Sequence, residues 1–249
     1  MKPEEIKTIG VLGGGVMGGG IAQVLAVAGY DIVLRDLNDE LLEKSRNTIA
    51  EGRFGLRGGV ERGKITQQQM DEALARIKFT TKVEDLRDVD LLIEAIPEDL
   101  ELKKKVFAEL DALLRPDAII ATNTSGFAIA DLNVAVSNKS RFVGMHWFSP
   151  VAAMKLIEII HAPETSEETV TALEAVGQRA GKVTVRVKDA PGNYGFVANR
   201  IYFAAVAEAR KVLEEGIASA DDINKAMMYG FNWPVGPLAM SAGARSGWQ

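Results

Sequence analysis

Residues 10–36 read GVLGGGVMGGGIAQVLAVAGYDIVLRD, with seven glycines ahead of Ala22 and an acid at the end. A glycine inside a helix costs roughly 1 kcal/mol relative to alanine, so a helix that opens on so many must gain something else. A β-rich run, TIGVL at 8–12, precedes the glycines. An apolar-periodic stretch, VMGGGIAQVLAVA at 16–28, continues them, and DIVLR at 31–35 is a second β-rich run. Strand, helix and strand at this spacing predict a parallel pair with a crossover helix. Gly13, Gly15 and Gly18 then form G-x-G-x-x-G between strand and helix. The first glycine permits the tight turn, the second lets backbone approach a pyrophosphate, and the third allows close helix–strand packing. The helix start offers unpaired N–H groups and positive potential to the phosphates. Asp36, closing the second strand about 20 residues on, suits the hydroxyls of a ribose and repels a 2′-phosphate. The stretch therefore predicts NAD binding in preference to NADP.

The rest of the chain extends that unit. Residues 38–76 are expected to be helical and broken near GLRGG (55–59), as a helical hairpin. DLLIEAI (90–96) and AIIATN (118–123) are continuous apolar runs, as in strands covered on both faces. LELKKKVFAELDALL (100–114) has helical spacing. RFVGMHW (141–147) and AMKLIEII (153–160) are further strands joined by a turn at Pro150. A helix over 166–182 and a strand over 183–187 follow. KDAPGNYG (188–195) is rich in breakers, and beyond it only helical patterns occur, one opening with Ser219 and Asp222. The predicted fold is α/β, a Rossmann-type doubly wound, mostly parallel sheet over 1–187, followed by a small all-helical domain over 188–249.

Composition narrows the chemistry. There is no cysteine, which excludes disulfides, thiolate catalysis and cysteine-ligated zinc, and two histidines make a histidine-rich metal site improbable. No metal is expected. A net charge of −5 argues against nucleic acid as a partner. No apolar run reaches the roughly 18 residues of a spanning helix, and MKPEEIKTIG lacks the layout of a signal peptide. The expectation is a soluble, cytoplasmic-type protein with no membrane association.

A nicotinamide cofactor needs a group that moves a proton. ATNTSGF (121–127) sets small polar residues after a strand's carboxyl end, where open α/β sheets bind ligands, although an ordinary helix cap reads the same way. If 141–147 and 153–160 pair as a hairpin centred near Ala152, His146 and Glu158 fall opposite each other on one face. A carboxylate beside a histidine fixes its tautomer and raises its basicity. His161 has no such partner in this pattern and reads as structural.

The order of motifs resembles the 3-hydroxyacyl-CoA dehydrogenase family over nearly the whole chain. The resemblance runs through GVLGGGVMGGGIA, LLIEAIPEDLELKKKVF, ATNTSG, FVGMHWFSPVAAMKLIEII, KDAPG, FVANR and GFNWPVGP. It implies NAD-dependent, reversible oxidation of an (S)-3-hydroxyacyl-CoA to the 3-oxoacyl-CoA, as in fatty acid β-oxidation. His146 would be the catalytic base and Glu158 its partner. Ser125 would hydrogen-bond the reacting oxygen, and Asn199 would hold substrate from the second domain. Glu98 and Lys103 would contact the nicotinamide-side ribose, and Asn123 would lie near the nicotinamide. The expected cofactor set is Gly13, Gly15, Val16, Met17, Gly18, Asp36, Ala95, Ile96, Glu98, Lys103 and Asn123. Arg53, Arg57, Arg62 and Lys64 in the hairpin suit either an anion site near the CoA adenosine phosphate or a solvated basic face.

Several positions depart from the family. HWFSP stands where HFFNP is usual, so Ser149 replaces an asparagine that contacts ligands. Gly126 stands in place of the second serine of NTSS, and Asn193 to Gly195 are extra residues before FVANR. The chain stops at SAGARSGWQ, earlier than family members generally do, so either the second domain is short or the chain belongs to a longer polypeptide. A short helical domain exposes apolar surface, and a homodimer is expected. Two alternatives stay open: a dehydrogenase of a related hydroxy acid or sugar acid without CoA, and a non-catalytic NAD-binding protein on the same scaffold.

Overall fold

The computed structural model of the chain describes residues 1–245; Ser246 to Gln249 of the SAGARSGWQ ending lie outside the described residues. The chain divides into two compact units, Met1–Asn193 and the segment from Tyr194 onward.

The first unit is built on eight strands, β1 (Thr8–Leu12), β2 (Asp31–Arg35), β3 (Ile77–Thr80), β4 (Leu91–Glu94), β5 (Ile119–Thr122), β6 (Phe142–Trp147), β7 (Leu156–His161) and β8 (Val183–Lys188). They form one sheet in the order β3-β2-β1-β4-β5-β6-β7-β8. Every pairing is parallel except β6 with β7. Helices α1 (Val16–Val27), α2 (Asp39–Glu51), α3 (Leu56–Glu61), α4 (Gln67–Ala75), α5 (Leu100–Leu113), α6 (Ile129–Leu132) and α7 (Glu167–Arg179) connect the strands. The doubly wound, mostly parallel architecture is the one expected from the sequence.

The apolar runs explain themselves in this frame. Every residue of β4, β5 and β6 is buried, because helices cover both faces and no face is left to be polar. Helix α1 buries Ile21, Ala22, Leu25 and Ala26 against the sheet. Asp99 caps α5 by accepting from the Leu102 N–H at 2.8 Å, and Ser166 caps α7 by accepting from Thr169 at 3.2 Å.

Two local readings differ from the structure. The break near GLRGG reaches only its first glycine: Leu56–Glu61 is itself helical, anchored by the buried Leu56. The breaks fall on either side. A Cβ on Gly52 would lie 2.5 Å from the Thr48 carbonyl oxygen, and one on Gly55 would lie 2.9 Å from three backbone atoms. Gly63 holds a φ of +63°, a left-handed backbone that ends α3. The second difference is β3, whose IKFT is too short to stand out by alternation and forms one edge of the sheet.

The second unit contains α8 (Val197–Glu214), α9 (Ala220–Phe231) and α10 (Pro237–Arg245), which pack on one another. Ser219 caps α9 by accepting from Asp222 N at 3.2 Å, the start expected from the Ser-x-x-Asp pattern. Asn232 ends that helix in the left-handed region, φ 57°, which asparagine tolerates better than most residues. Among the described residues no helix is long and apolar enough to cross a membrane.

Candidate active site

The sheet order reverses between β1 and β4, and the crevice outside the carboxyl ends of strands at such a point is where doubly wound folds bind ligands. The glycine turn sits there. Gly13 has φ +96°, and a Cβ on it would lie 2.7 Å from the Ala95 carbonyl oxygen. A Cβ on Gly18 would fall 1.8 Å from the Gly13 carbonyl oxygen, and one on Gly14 would fall 2.2 Å from the Ser45 hydroxyl. These three glycines are required by the chain's own packing.

Gly15 is not. It is exposed, its φ of −63° suits any residue, and a Cβ there would meet nothing within 4 Å. The N–H groups of Gly15, Val16 and Met17 find no acceptor among the described residues. A bare backbone position the fold does not need, at the start of a twelve-residue helix, fits the pyrophosphate of a dinucleotide. Asp36 braces the turn: its Oδ2 accepts from Gly14 N and its Oδ1 from Leu37 N, both at 2.7 Å. Each oxygen keeps acceptor capacity for a ribose hydroxyl. The residues present therefore fit NAD.

Next to the turn, the ends of β4 and β5 are joined by charge. Glu94, the last residue of β4, is fully buried, and its Oε1 receives Lys103 Nζ at 2.6 Å and Ile96 N at 2.7 Å. Its Oε2 accepts from the Thr122 hydroxyl at 2.6 Å. Lys103, on α5, is only 1% exposed and also approaches Glu98 Oε2 at 3.3 Å. Glu98 Oε1 in turn accepts from the Thr124 hydroxyl at 2.6 Å and from Ser125 N at 2.8 Å. Asn123 accepts from Trp147 N at 2.9 Å through its Oδ1, tying the end of β5 to the end of β6.

His146 and Glu158 occupy the expected register, opposite each other in the antiparallel β6–β7 pair. His146 Nδ1 lies 2.8 Å from Glu158 Oε2; the histidine is 4% exposed and the glutamate 0%. The Phe148 ring lies 4.5 Å from the imidazole, centre to centre. Behind the pair, Lys182 Nζ donates to the carbonyls of Val151 and Met154 at 2.6 and 2.7 Å, which clamps the turn from β6 into β7. Burial pushes the Lys182 ammonium below the usual lysine range. Ser149 is exposed in that turn, and His161 ends β7 away from the pair. Asn199 belongs to the second unit, half-buried in the first turn of α8.

The structure therefore joins Gly13–Gly18 with Asp36, Glu98 and Lys103 with Ser125, Asn123 with β6, and His146 with Glu158. Sequence reasoning missed Glu94, Thr122 and Thr124. A signal was present: an ionisable residue closing the otherwise apolar LLIE can stay charged in a buried strand only with a partner. What the pattern did not show was the partner's identity.

A cavity of about 700 Å³ opens on the helical-hairpin side of the first unit. Val24, Val27 and Leu56 give it an apolar wall, and Arg62, Lys64 and Lys155 give it positive charge.

The model of the 3-hydroxyacyl-CoA dehydrogenase NAD-binding domain matches residues 8–190, and that of the 3-hydroxyacyl-CoA dehydrogenase C-terminal domain matches residues 195–245. A probable 3-hydroxyacyl-CoA dehydrogenase of Caenorhabditis elegans is 39% identical over 240 residues, 95% of this chain and 77% of that protein. A probable 3-hydroxybutyryl-CoA dehydrogenase of Deinococcus radiodurans is 38% identical over 232 residues, 93% of this chain and 81% of its own length. Among solved structures, the (S)-3-hydroxybutyryl-CoA dehydrogenase PaaH1 of Ralstonia eutropha superposes with a TM-score of 0.89 at 41% identity, covering 94% of this chain and 81% of that one.

Proposed function

Because the chain belongs to the 3-hydroxyacyl-CoA dehydrogenase family and is an NAD-dependent dehydrogenase, we propose that it interconverts an (S)-3-hydroxyacyl-CoA and its 3-oxoacyl-CoA, with His146 moving the hydroxyl proton. The observation that carries this reading is the buried 2.8 Å contact between His146 Nδ1 and Glu158 Oε2. Nδ1–H donating to the carboxylate puts the ring's lone pair on Nε2, the atom that accepts a proton from the substrate. As the imidazole gains that proton, the buried carboxylate stabilises its charge, and in the reverse direction the same nitrogen returns it. Bound NAD supplies the hydride acceptor for the carbon that carries the hydroxyl.

The remaining residues position. Gly13, Gly15, Val16, Met17 and Gly18 hold the pyrophosphate and Asp36 a ribose. Ala95, Ile96, Glu98, Lys103 and Asn123 line the nicotinamide side. Ser125 hydrogen-bonds the reacting oxygen. The basic, partly apolar cavity beside the hairpin suits the phosphates and adenine of CoA, which favours a thioester over a free hydroxy acid. Val197, Ile201, Phe203, Tyr229 and Phe231 are exposed on the second unit and support a homodimer.

The test is NADH oxidation driven by acetoacetyl-CoA, compared with free acetoacetate and with the thioester of a truncated carrier lacking the nucleotide. Turnover on acetoacetyl-CoA that falls at least tenfold on the truncated thioester supports the reading. Turnover on the free acid alone would replace it with a CoA-independent dehydrogenase.

A further inference from the structure

We infer that Glu94 is a positioning residue for the reaction: buried beneath the crevice, it fixes the Thr124–Ser125 turn by two separate routes. The inference rests on the role proposed above for Ser125. One route is ionic. Glu94 Oε1 holds Lys103 Nζ at 2.6 Å, Lys103 meets Glu98 Oε2 at 3.3 Å, and Glu98 Oε1 accepts from the Thr124 hydroxyl and from Ser125 N. The other runs along β5. Glu94 Oε2 accepts from the Thr122 hydroxyl at 2.6 Å, and Thr122 Oγ1 accepts from Thr124 N at 3.2 Å. Both routes start on one carboxylate and meet at Thr124, and the ionic one also holds Ser125 N.

A stability role alone explains this arrangement poorly. Buried ion pairs contribute little over apolar groups of the same volume, and the neighbouring positions of β4 are leucine and isoleucine. The pair sits at the carboxyl end of β4, where ligand contacts are made, and not deeper in the core. Glu94 also accepts from Ile96 N at 2.7 Å, so the chain leaving β4 past Ala95 is set by the same group. Glu98 is a third exposed and has freedom of its own; Lys103, held by Glu94, removes it. Displacement of a reacting group by about 1 Å costs on the order of a hundredfold in rate. A carboxylate that reaches the turn twice is a means of preventing that displacement.

The experiment compares wild type with Glu94→Gln in thermal unfolding, NADH affinity and acetoacetyl-CoA reduction, each also in a Ser125→Ala background. The expected result is a folded Glu94→Gln protein whose kcat falls by roughly tenfold or more, a larger factor than any loss of NADH affinity. In the Ser125→Ala background the same exchange should change kcat less than twofold, because the hydroxyl that the turn positions is already gone. If Glu94→Gln does not fold, Thr122→Val removes only the route along β5 and leaves the Glu94–Lys103 pair in place; it should fold and lower kcat in the same sense, by at least about threefold. Full kcat in a folded variant, an undiminished loss in the Ser125→Ala background, or failure of both variants to fold would each overturn the inference. Wild type inactive on any thioester would overturn the proposed function as well, which separates the two failures.

Discussion

Replacing Gly15 with alanine separates the demands of the ligand from those of the fold. The added methyl meets no atom within 4 Å, and the backbone there, φ −63° and ψ −167°, is open to alanine. Alanine is a poorer helix cap than glycine, a loss of up to about 1 kcal/mol. It also narrows the unfolded chain's freedom, a gain of about 0.4–1 kcal/mol. The two nearly cancel, so urea unfolding should give a stability within about 0.5 kcal/mol of wild type and a Tm within roughly 2 °C. Cofactor binding has no such compensation. The N–H groups of Gly15, Val16 and Met17 lack acceptors within the described chain, and a methyl beside them holds the pyrophosphate away. A hydrogen bond to a charged group contributes about 1.5–3 kcal/mol, so losing one weakens NADH binding roughly tenfold to a hundredfold. Isothermal titration with NADH, beside urea unfolding of the same preparation, measures both. Unchanged NADH affinity would refute the reasoning, and so would a large loss of stability, since Gly15 would then be a packing glycine like its neighbours. Gly18→Ala is the contrast: a Cβ 1.8 Å from a carbonyl oxygen should cost more than about 2 kcal/mol by overpacking.

Three further outcomes are expected. His146→Gln should lower kcat for acetoacetyl-CoA reduction by about 10²–10⁴, the range for a general acid–base, while NADH affinity stays within about threefold; near-normal turnover would eliminate the proposed base. Asp36→Ala should reduce the preference for NAD over NADP in kcat/KM by at least about tenfold, near 1.4 kcal/mol, and an unchanged ratio would show that the carboxylate does not face the ribose. Asp111 loses hydration on burial, but hydrogen bonds from Ser137 and Arg141 with the Arg141 charge outweigh that and hold its carboxyl below the usual range. A depressed folded value means its stabilisation is complete above the ordinary carboxylate pKa and is lost as pH falls through the folded one. Asp111→Asn should therefore cost about 3 kcal/mol at neutral pH, and urea titrations should show the gap closing below about pH 4; a gap constant from pH 7 to pH 3 would contradict this.

Much of the site was legible because it depends on short-range order. Strand, glycine turn, helix and acid lie within 36 residues, and each is recognisable from its own period or conformational demand. The opposition of His146 and Glu158 followed from hairpin arithmetic about Ala152, since antiparallel partners are symmetric about their turn. The family resemblance, read from motifs in order, named the cofactor and reaction class that the family models support.

By itself, then, the sequence determined the doubly wound sheet, the glycine turn and the histidine–carboxylate pair, because periodicity, glycine geometry and strand register are local properties. Tertiary structure alone decided which glycines serve packing and which leaves backbone bare, since that depends on what a Cβ would meet. It alone decided that the chain would be helical again from Leu56, and that Lys103 would turn inward to Glu94 and not outward to solvent. Those outcomes turn on burial and on partners from other strands, and a charge in water carries no mark in the sequence that distinguishes it from a charge held in the core.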